Sequence, residues 1–223
     1  MQKHILYSFR RCPFAIRARW ALKVCDVSVE LREVDLKNKP SELLKWSKSN
    51  TVPLLISEDI TISESLDIIF WALSNTNNLK QKYFKDEHKN EILSTIKEND
   101  TKFKYHLDRF KYSTRFNEND KEYHFIESKK LINKWDKLLS RNNSQKNWLI
   151  GENESIADWC LWPFVRQYKI ACESSKISNY FEPGIKSWLH HYETHNDFKV
   201  VMEKYKIWEQ NSEKVFFPKA LSF

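Results

Sequence analysis

Glycine and proline are scarce in this chain. It has two Gly and six Pro in 223 residues. Glycine supplies backbone conformations that other residues rarely adopt, and proline interrupts helices, so few strained turns are encoded and helices with short connections are favoured. The aromatic content is high, with nine Trp, nine Tyr and fourteen Phe, which excludes a disordered chain. The length is sufficient for two modest domains with buried cores.

Long apolar runs and concentrated charge are also lacking. No run approaches the roughly 20 residues that cross a bilayer, so no membrane association is expected. The start of the chain has no charged segment followed by an apolar one, which predicts a cytoplasmic protein. The formal net charge is +7, but basic residues mix with 30 acidic ones. No basic run is interleaved with aromatic residues, and we therefore expect no nucleic-acid partner.

The four cysteines form no CxxC pair and no metal-ligand spacing, so the sequence predicts no metal site. Reduced thiols are the default for a chain without an export signal. Cys25 and Cys160 lie in apolar helical patterns and are expected to be buried.

The first third of the chain alternates strand and helix patterns. Residues 4–7 predict a first strand, and a helix opens at Cys12-Pro13. Three more strands are predicted by alternation at 27–31, an apolar run at 52–56 and residues 60–62. Helices are predicted near 40–46 and 64–73. Arg17 and Arg19 fall outside the apolar face of the first helix, so we expect them off its buried side. The predicted order for residues 1–75 is βαβαββα.

The remainder of the chain has almost no strand signal. Polar residues 74–78 predict a linker, assigned to 76–83, and helical periodicity follows at 84–112, 120–140, 156–172, 184–195 and 197–207. Ser155 to Asp158 fits a capping box at a helix start, whereas Pro163 conflicts with a helix interior. The predicted fold class is α/β plus all-α, with a helical domain at 84–223.

Cys12 carries the sharpest chemical signal. It directly precedes Pro13, and proline is favoured at the first position of a helix. A thiol there faces the positive end of the helix dipole, and Arg10 and Arg11 precede it. Both effects favour the thiolate, the nucleophilic form, although a buried structural cysteine is the alternative. Residue 15 is alanine, so an external thiol must resolve any disulfide formed.

Two other positions suggest a binding site. Pro53 follows Val52 at a strand start, and sequence statistics favour a trans peptide because only about 5–6% of X–Pro bonds are cis. Glu64-Ser65 opens a helix after a strand, where a carboxylate or phosphate can bind, although plain capping is the alternative.

Taken together, these segments resemble the glutathione transferase superfamily, in particular the omega-type enzymes and their bacterial relatives. Residues 8–22, SFRRCPFAIRARWAL, resemble the active-site segment, and monothiol glutaredoxins share its C-P-x-x pattern. Residues 36–40, 51–55 and 64–65 match glutathione-site elements in order and spacing. Residues 155–163 resemble the helix-capping segment of the family's all-α domain. The five motifs in register cover nearly the whole chain.

The resemblance implies a thioredoxin-like first domain and a homodimer. It also implies that Cys12 is the catalytic thiolate and that glutathione is the co-substrate. The implied contacts are Lys39 with the glycine carboxylate, Phe14, Val52 and a cis Pro53 with the cysteinyl unit, and Glu64 and Ser65 with the γ-glutamyl group. Asp158 would be a folding residue.

The implied activity is thiol transfer, in which Cys12 forms a mixed disulfide with glutathione and free glutathione regenerates the thiolate. The second substrate would be a small disulfide or an electrophile such as dehydroascorbate. One alternative is a non-catalytic binding module of this fold, for example a partner of the transcription machinery, but such proteins lack the reactive cysteine. Another is a membrane-inserting relative similar to intracellular chloride channels, but this chain lacks an apolar insertion segment near residue 25.

Overall fold

A computed structural model describes residues 4–47, 49–58, 60–116, 120–140 and 148–219. It divides into two compact units. The first contains the chain up to Lys80 together with the segment from His195 onward, and the second runs from Gln81 to Thr194.

The first unit is built on one mixed sheet. Its strands are β1 His4–Ser8, β2 Val29–Glu33, β3 Leu54–Ser57, β4 Ile60–Ile62 and β5 Phe216–Phe217. Their spatial order is β4-β3-β1-β2-β5. β1 is parallel to β2, and all the other pairs are antiparallel. The predicted four strands are present, and the two-residue β5 was not predicted.

Three helices complete the predicted βαβαββα order: α1 Pro13–Val24, α2 Ser41–Trp46 and α3 Ser65–Ser74. α1 packs against α3. Nearly every side of α1 is buried, because Ala15, Ile16, Ala18, Trp20 and Leu22 point in different directions around it and all are covered. The thioredoxin-like architecture is therefore confirmed.

The second unit is helical, as predicted. Its helices are α4 Leu79–Tyr83, which begins just before the unit, α5 Lys89–Glu98, α6 Lys104–Lys111, α7 Ser113–Phe116, α8 Lys121–Leu139, α9 Ile156–Ser174 and α10 Pro183–Thr194. A π-helical turn, Asn99–Phe103, joins α5 to α6. The predicted linker 76–83 thus contains a helix, because Leu79 restarts helical structure after the polar turn and Tyr83 is buried. Pro163 lies inside α9 and is buried.

The C-terminal segment differs most from the sequence prediction, which assigned it to the helical domain. After α11 Asn196–Val201 the chain becomes extended instead of continuing as a helix to residue 207. Backbone pairing with β2 explains this, because Trp208 N–H donates to Glu33 O at 2.7 Å and Leu31 N–H donates to Val215 O at 2.7 Å. The segment therefore belongs to the first unit, and Phe217 is fully buried there.

Among the described residues, every helix is too short or too polar to span a bilayer.

Candidate active site

Cys12 caps the N-terminus of α1. Its backbone N–H donates to Phe9 O at 2.9 Å, which closes the turn after β1, and its carbonyl accepts the first helical bond from Ile16 N–H at 2.9 Å. Its φ of −78° and ψ of 121° are those of an extended residue directly before a helix. The side chain is half-buried, so the thiol is held in place and remains accessible.

The Cys12 thiol points toward the segment that leads into β3. Its Sγ donates to the Val52 carbonyl at a sulfur–oxygen distance of 3.6 Å. The peptide between Val52 and Pro53 is cis, as the resemblance implied and contrary to the sequence statistics. Because both residues precede β3, the proline removes no donor from the sheet. The structure therefore brings Cys12, Val52 and Pro53 together.

A second contact joins the start of α1 to the start of α3 through Arg17. Its Nε donates to Ser65 Oγ at 3.0 Å, and its guanidinium carbon lies 4.8 Å from the centre of the Phe14 ring. Arg17 is 1% exposed, so the expectation that it lies off the buried side of the helix is wrong. It can be buried because the serine hydroxyl and the aromatic ring provide partners in the interior.

Glu64 and Lys39 are placed differently from the other candidates. Glu64 is the N-cap residue of α3, but its exposed side chain makes no capping hydrogen bond. Lys39 is half-buried in the loop before α2. Within the described residues neither side chain forms an ion pair, and no polar contact joins either of them to Cys12. Both charges are available to a ligand.

The remaining cysteines have a different environment from Cys12. Cys25, Cys160 and Cys172 are all buried, and burial of the first two was predicted. Burial raises the pKa of Cys25 to about 11 and that of Cys172 to about 12, so both thiols stay protonated at neutral pH.

Arg19 and Glu33 lie close to each other next to the loop that carries Cys12. The sequence did not predict either of them as a site residue. Arg19 is fully buried, although its spacing placed it outside the apolar face of α1. The sequence around Arg19 did indicate burial, because Ala15 to Leu22 is apolar on every side of the helix apart from two arginines. A helix that is apolar on every side is buried, so any charge within it must find a partner in the interior.

Comparisons with known proteins agree with this architecture. A family model described as "Glutathione S-transferase, N-terminal domain" matches residues 6–80, and one described as "Glutathione S-transferase, C-terminal domain" matches residues 100–204. A curated relative, "Glutathione S-transferase omega-1" of Mus musculus, is 26% identical over 185 residues, which cover 82% of this chain and 74% of the relative.

Solved structures share the fold at low sequence identity. Glutathione transferase Omega 3C from Trametes versicolor has a TM-score of 0.75 and 16% identity, covering 92% of this chain and 91% of that one. A family member from Pseudomonas fluorescens, solved with two glutathione molecules bound, has a TM-score of 0.74 and 20% identity, covering 90% of this chain and 92% of that one. The two family models together span most of the chain, which belongs to the glutathione S-transferase superfamily.

Proposed function

We propose that this protein is a glutathione-dependent thiol transferase of omega-like, cysteine type, and that the Cys12 thiolate is its nucleophile. The observation that carries this proposal is the half-buried Cys12 thiol at the N-terminus of α1, 3.6 Å from the carbonyl that precedes a cis proline. A 12-residue helix directs its positive dipole end at this thiol, which favours the thiolate.

Glutathione would extend from Cys12 to the segment before β3, the start of α3 and the loop before α2. The Val52 carbonyl, which accepts from the Cys12 thiol, would accept a hydrogen bond from the cysteinyl N–H of glutathione once Cys12 is ionised and no longer donates to it. The start of α3, where the N-cap side chain makes no capping hydrogen bond, would offer backbone N–H groups to the γ-glutamyl carboxylate beside the Ser65 hydroxyl. The exposed Glu64 carboxylate would bind the γ-glutamyl ammonium group, and Lys39 would bind the glycine carboxylate.

The reaction then proceeds by two thiol–disulfide exchanges. The Cys12 thiolate attacks the glutathione sulfur of a mixed disulfide R–S–S–G, forming Cys12–S–S–G and releasing R–S⁻. A glutathione thiolate attacks the glutathione sulfur of that intermediate, releasing the Cys12 thiolate and oxidised glutathione. The substrate R group leaves as a thiol, and one reduced glutathione is consumed to form oxidised glutathione, so no second protein cysteine is needed. Such chemistry requires a supply of reduced glutathione, and we accordingly propose a cytoplasmic location.

Intact-protein mass spectrometry after mixing with oxidised glutathione tests the proposal. We expect one glutathione adduct on the wild-type chain and none on Cys12→Ser. Cys172→Ser is the control. The Cys172 thiol is buried and protonated, so its removal should leave the single adduct unchanged. The absence of a Cys12 adduct would mean that the site does not bind glutathione productively, and the binding-module alternative would replace the transferase.

Glu64→Gln should weaken glutathione binding without affecting the thiol. A hydrogen bond to a charged group contributes about 1.5–3 kcal/mol, so the dissociation constant of S-methylglutathione should rise about tenfold or more in titration calorimetry. Glu91→Gln is the matched control, since Glu91 is an exposed glutamate of the second unit outside the candidate set. Equal affinities for the two variants would remove Glu64 from the glutathione site.

A homodimer remains a proposal that follows from family membership. Light scattering coupled to size exclusion should give about twice the mass of one chain at micromolar concentration, and a single-chain mass would contradict it.

A further inference from the structure

Arg19 is a buried cation on α1 that contacts the loop carrying Cys12. The residue is fully buried, and its Nη2 donates to Arg10 O at 3.0 Å. Within the described residues its Nε and Nη1 have no hydrogen-bond partner. A buried guanidinium with one hydrogen bond is only partly compensated, so its field acts on nearby groups with little screening.

Glu33 holds the same loop from the other side. It is the last residue of β2 and is 5% exposed. Its Oε1 accepts a hydrogen bond from Arg10 N–H at 2.6 Å, and its Oε2 lies 3.9 Å from Arg19 Nη1. Arg19 and Glu33 therefore bind both backbone polar groups of Arg10, two residues before Cys12. We call these two residues the loop clamp.

The C-terminal segment covers the loop clamp. The Arg10 guanidinium donates to Met202 O at 3.5 Å, and Trp208 N–H donates to Glu33 O at 2.7 Å. The ionisable groups that act on Arg19 are Glu33 of β2, Tyr205 of the C-terminal segment, and Cys12 and Arg10 of the loop. Burial raises the pKa of Tyr205, so its hydroxyl is uncharged at the pH values at which a thiol ionises.

Charge on the loop clamp acts on Cys12. Burial lowers the pKa of Arg19 to about 10, so the guanidinium is charged at neutral pH. Burial also raises the pKa of Glu33, against the opposing effects of Arg10 and Arg19. Arg19 and the Cys12 thiolate attract each other. This attraction is reciprocal, so the cation favours ionisation of the thiol to the same degree that the thiolate favours the charged arginine.

We propose that Arg19 is a positioning residue for Cys12: it fixes the loop through Arg10 O and its buried charge favours the thiolate, while Glu33 fixes the loop and moderates that charge. The inference rests on the proposed function only in taking the Cys12 thiolate as the reactive group.

The rate of Cys12 alkylation by iodoacetamide between pH 5 and pH 9 tests this role without glutathione. Arg19 stays charged over this range, and Cys12→Ser supplies the blank. Arg19→Met should raise the midpoint of the rate profile by about 0.5–1 pH unit, which lowers the rate about threefold to tenfold well below the midpoint. Glu33→Gln keeps an acceptor for Arg10 N–H and removes the opposing charge, so its midpoint should fall.

Opposite shifts in these two variants are required, since a loop that was merely loosened would move both midpoints in the same direction. The proposal is overturned if the two midpoints stay at the wild-type value or move in the same direction. Should Arg19→Met show no cooperative thermal unfolding, Arg19→Lys takes its place. The lysine variant should keep the wild-type midpoint while Glu33→Gln lowers it, and any other pattern overturns the electrostatic role. Because glutathione is absent, failure here is distinguishable from failure of the mass-spectrometric test of the proposed function.

Discussion

Cys12→Ser should lower the turnover of a glutathione mixed disulfide by at least about a thousandfold, the scale on which an enzyme that has lost its nucleophile fails. A serine hydroxyl cannot form a disulfide, and it stays protonated at neutral pH even beside a helix N-terminus. The rate to measure is reduction of the disulfide between glutathione and 2-mercaptoethanol, with oxidised glutathione as the detected product.

The same substitution should move a second activity in the opposite direction. A hydroxyl at position 12 can donate a hydrogen bond to the glutathione thiolate, whereas a Cys12 thiolate has no proton to donate and repels that charge, so conjugation of glutathione to an aromatic electrophile should rise in Cys12→Ser. That gain would also demonstrate that the variant is folded and binds glutathione. Cys25→Ser is the matched control, because burial raises the pKa of Cys25 to about 11 and the thiol is not a nucleophile at neutral pH. Full thiol-transferase turnover by Cys12→Ser would disprove the mechanism.

The order of the first-unit strands and helices was predictable because their signals are local. Alternation and apolar runs predicted β1 to β4, and the proline after Cys12 predicted the start of α1. β5 gave no such signal, since two residues cannot show alternation and their partner, β2, lies almost the whole chain away. The helix predicted to reach residue 207 fails for a related reason. Its last predicted residue, Ile207, pairs with Glu33, and such distant pairing cannot be detected from local periodicity.

The candidate site was predictable to a different extent. Cys12 follows from the rule for helix starts, but the cis form of Val52–Pro53 opposes the statistics of isolated peptides and came only from the resemblance. Arg17 and Arg19 were misplaced because a spacing rule separates apolar from polar residues and does not recognise a polar group with an interior partner. Their partners, Ser65, Glu33 and Arg10 O, are contributed by other elements, so only the folded chain identifies them.

Asp158 accounts for much of the polar bonding at the start of α9. Its Oδ1 accepts from Leu149 N–H and from Trp188 Nε1, each at 3.0 Å. Its Oδ2 accepts from Ser155 N–H and Ser155 Oγ, each at 2.9 Å, which completes the predicted capping box. Burial raises the pKa of Asp158 to about 6 against these bonds, so the carboxylate is ionised at neutral pH and can accept all four.

Asp158→Ala should therefore destabilise the protein by at least about 3 kcal/mol, because three buried N–H donors lose their acceptor at about 1–3 kcal/mol each. The free energy of unfolding of a folded domain is about 5–15 kcal/mol in total, so little folded Asp158→Ala protein should accumulate at 37 °C. Urea unfolding followed by tryptophan fluorescence measures the change. Asp86→Ala is the control. Asp86 is exposed, so the free energy of unfolding of this variant should lie within about 0.5 kcal/mol of the wild-type value. A loss below about 1 kcal/mol for Asp158→Ala would mean that water replaces the carboxylate at these donors, and Asp158 would then not be the residue that holds this helix start together.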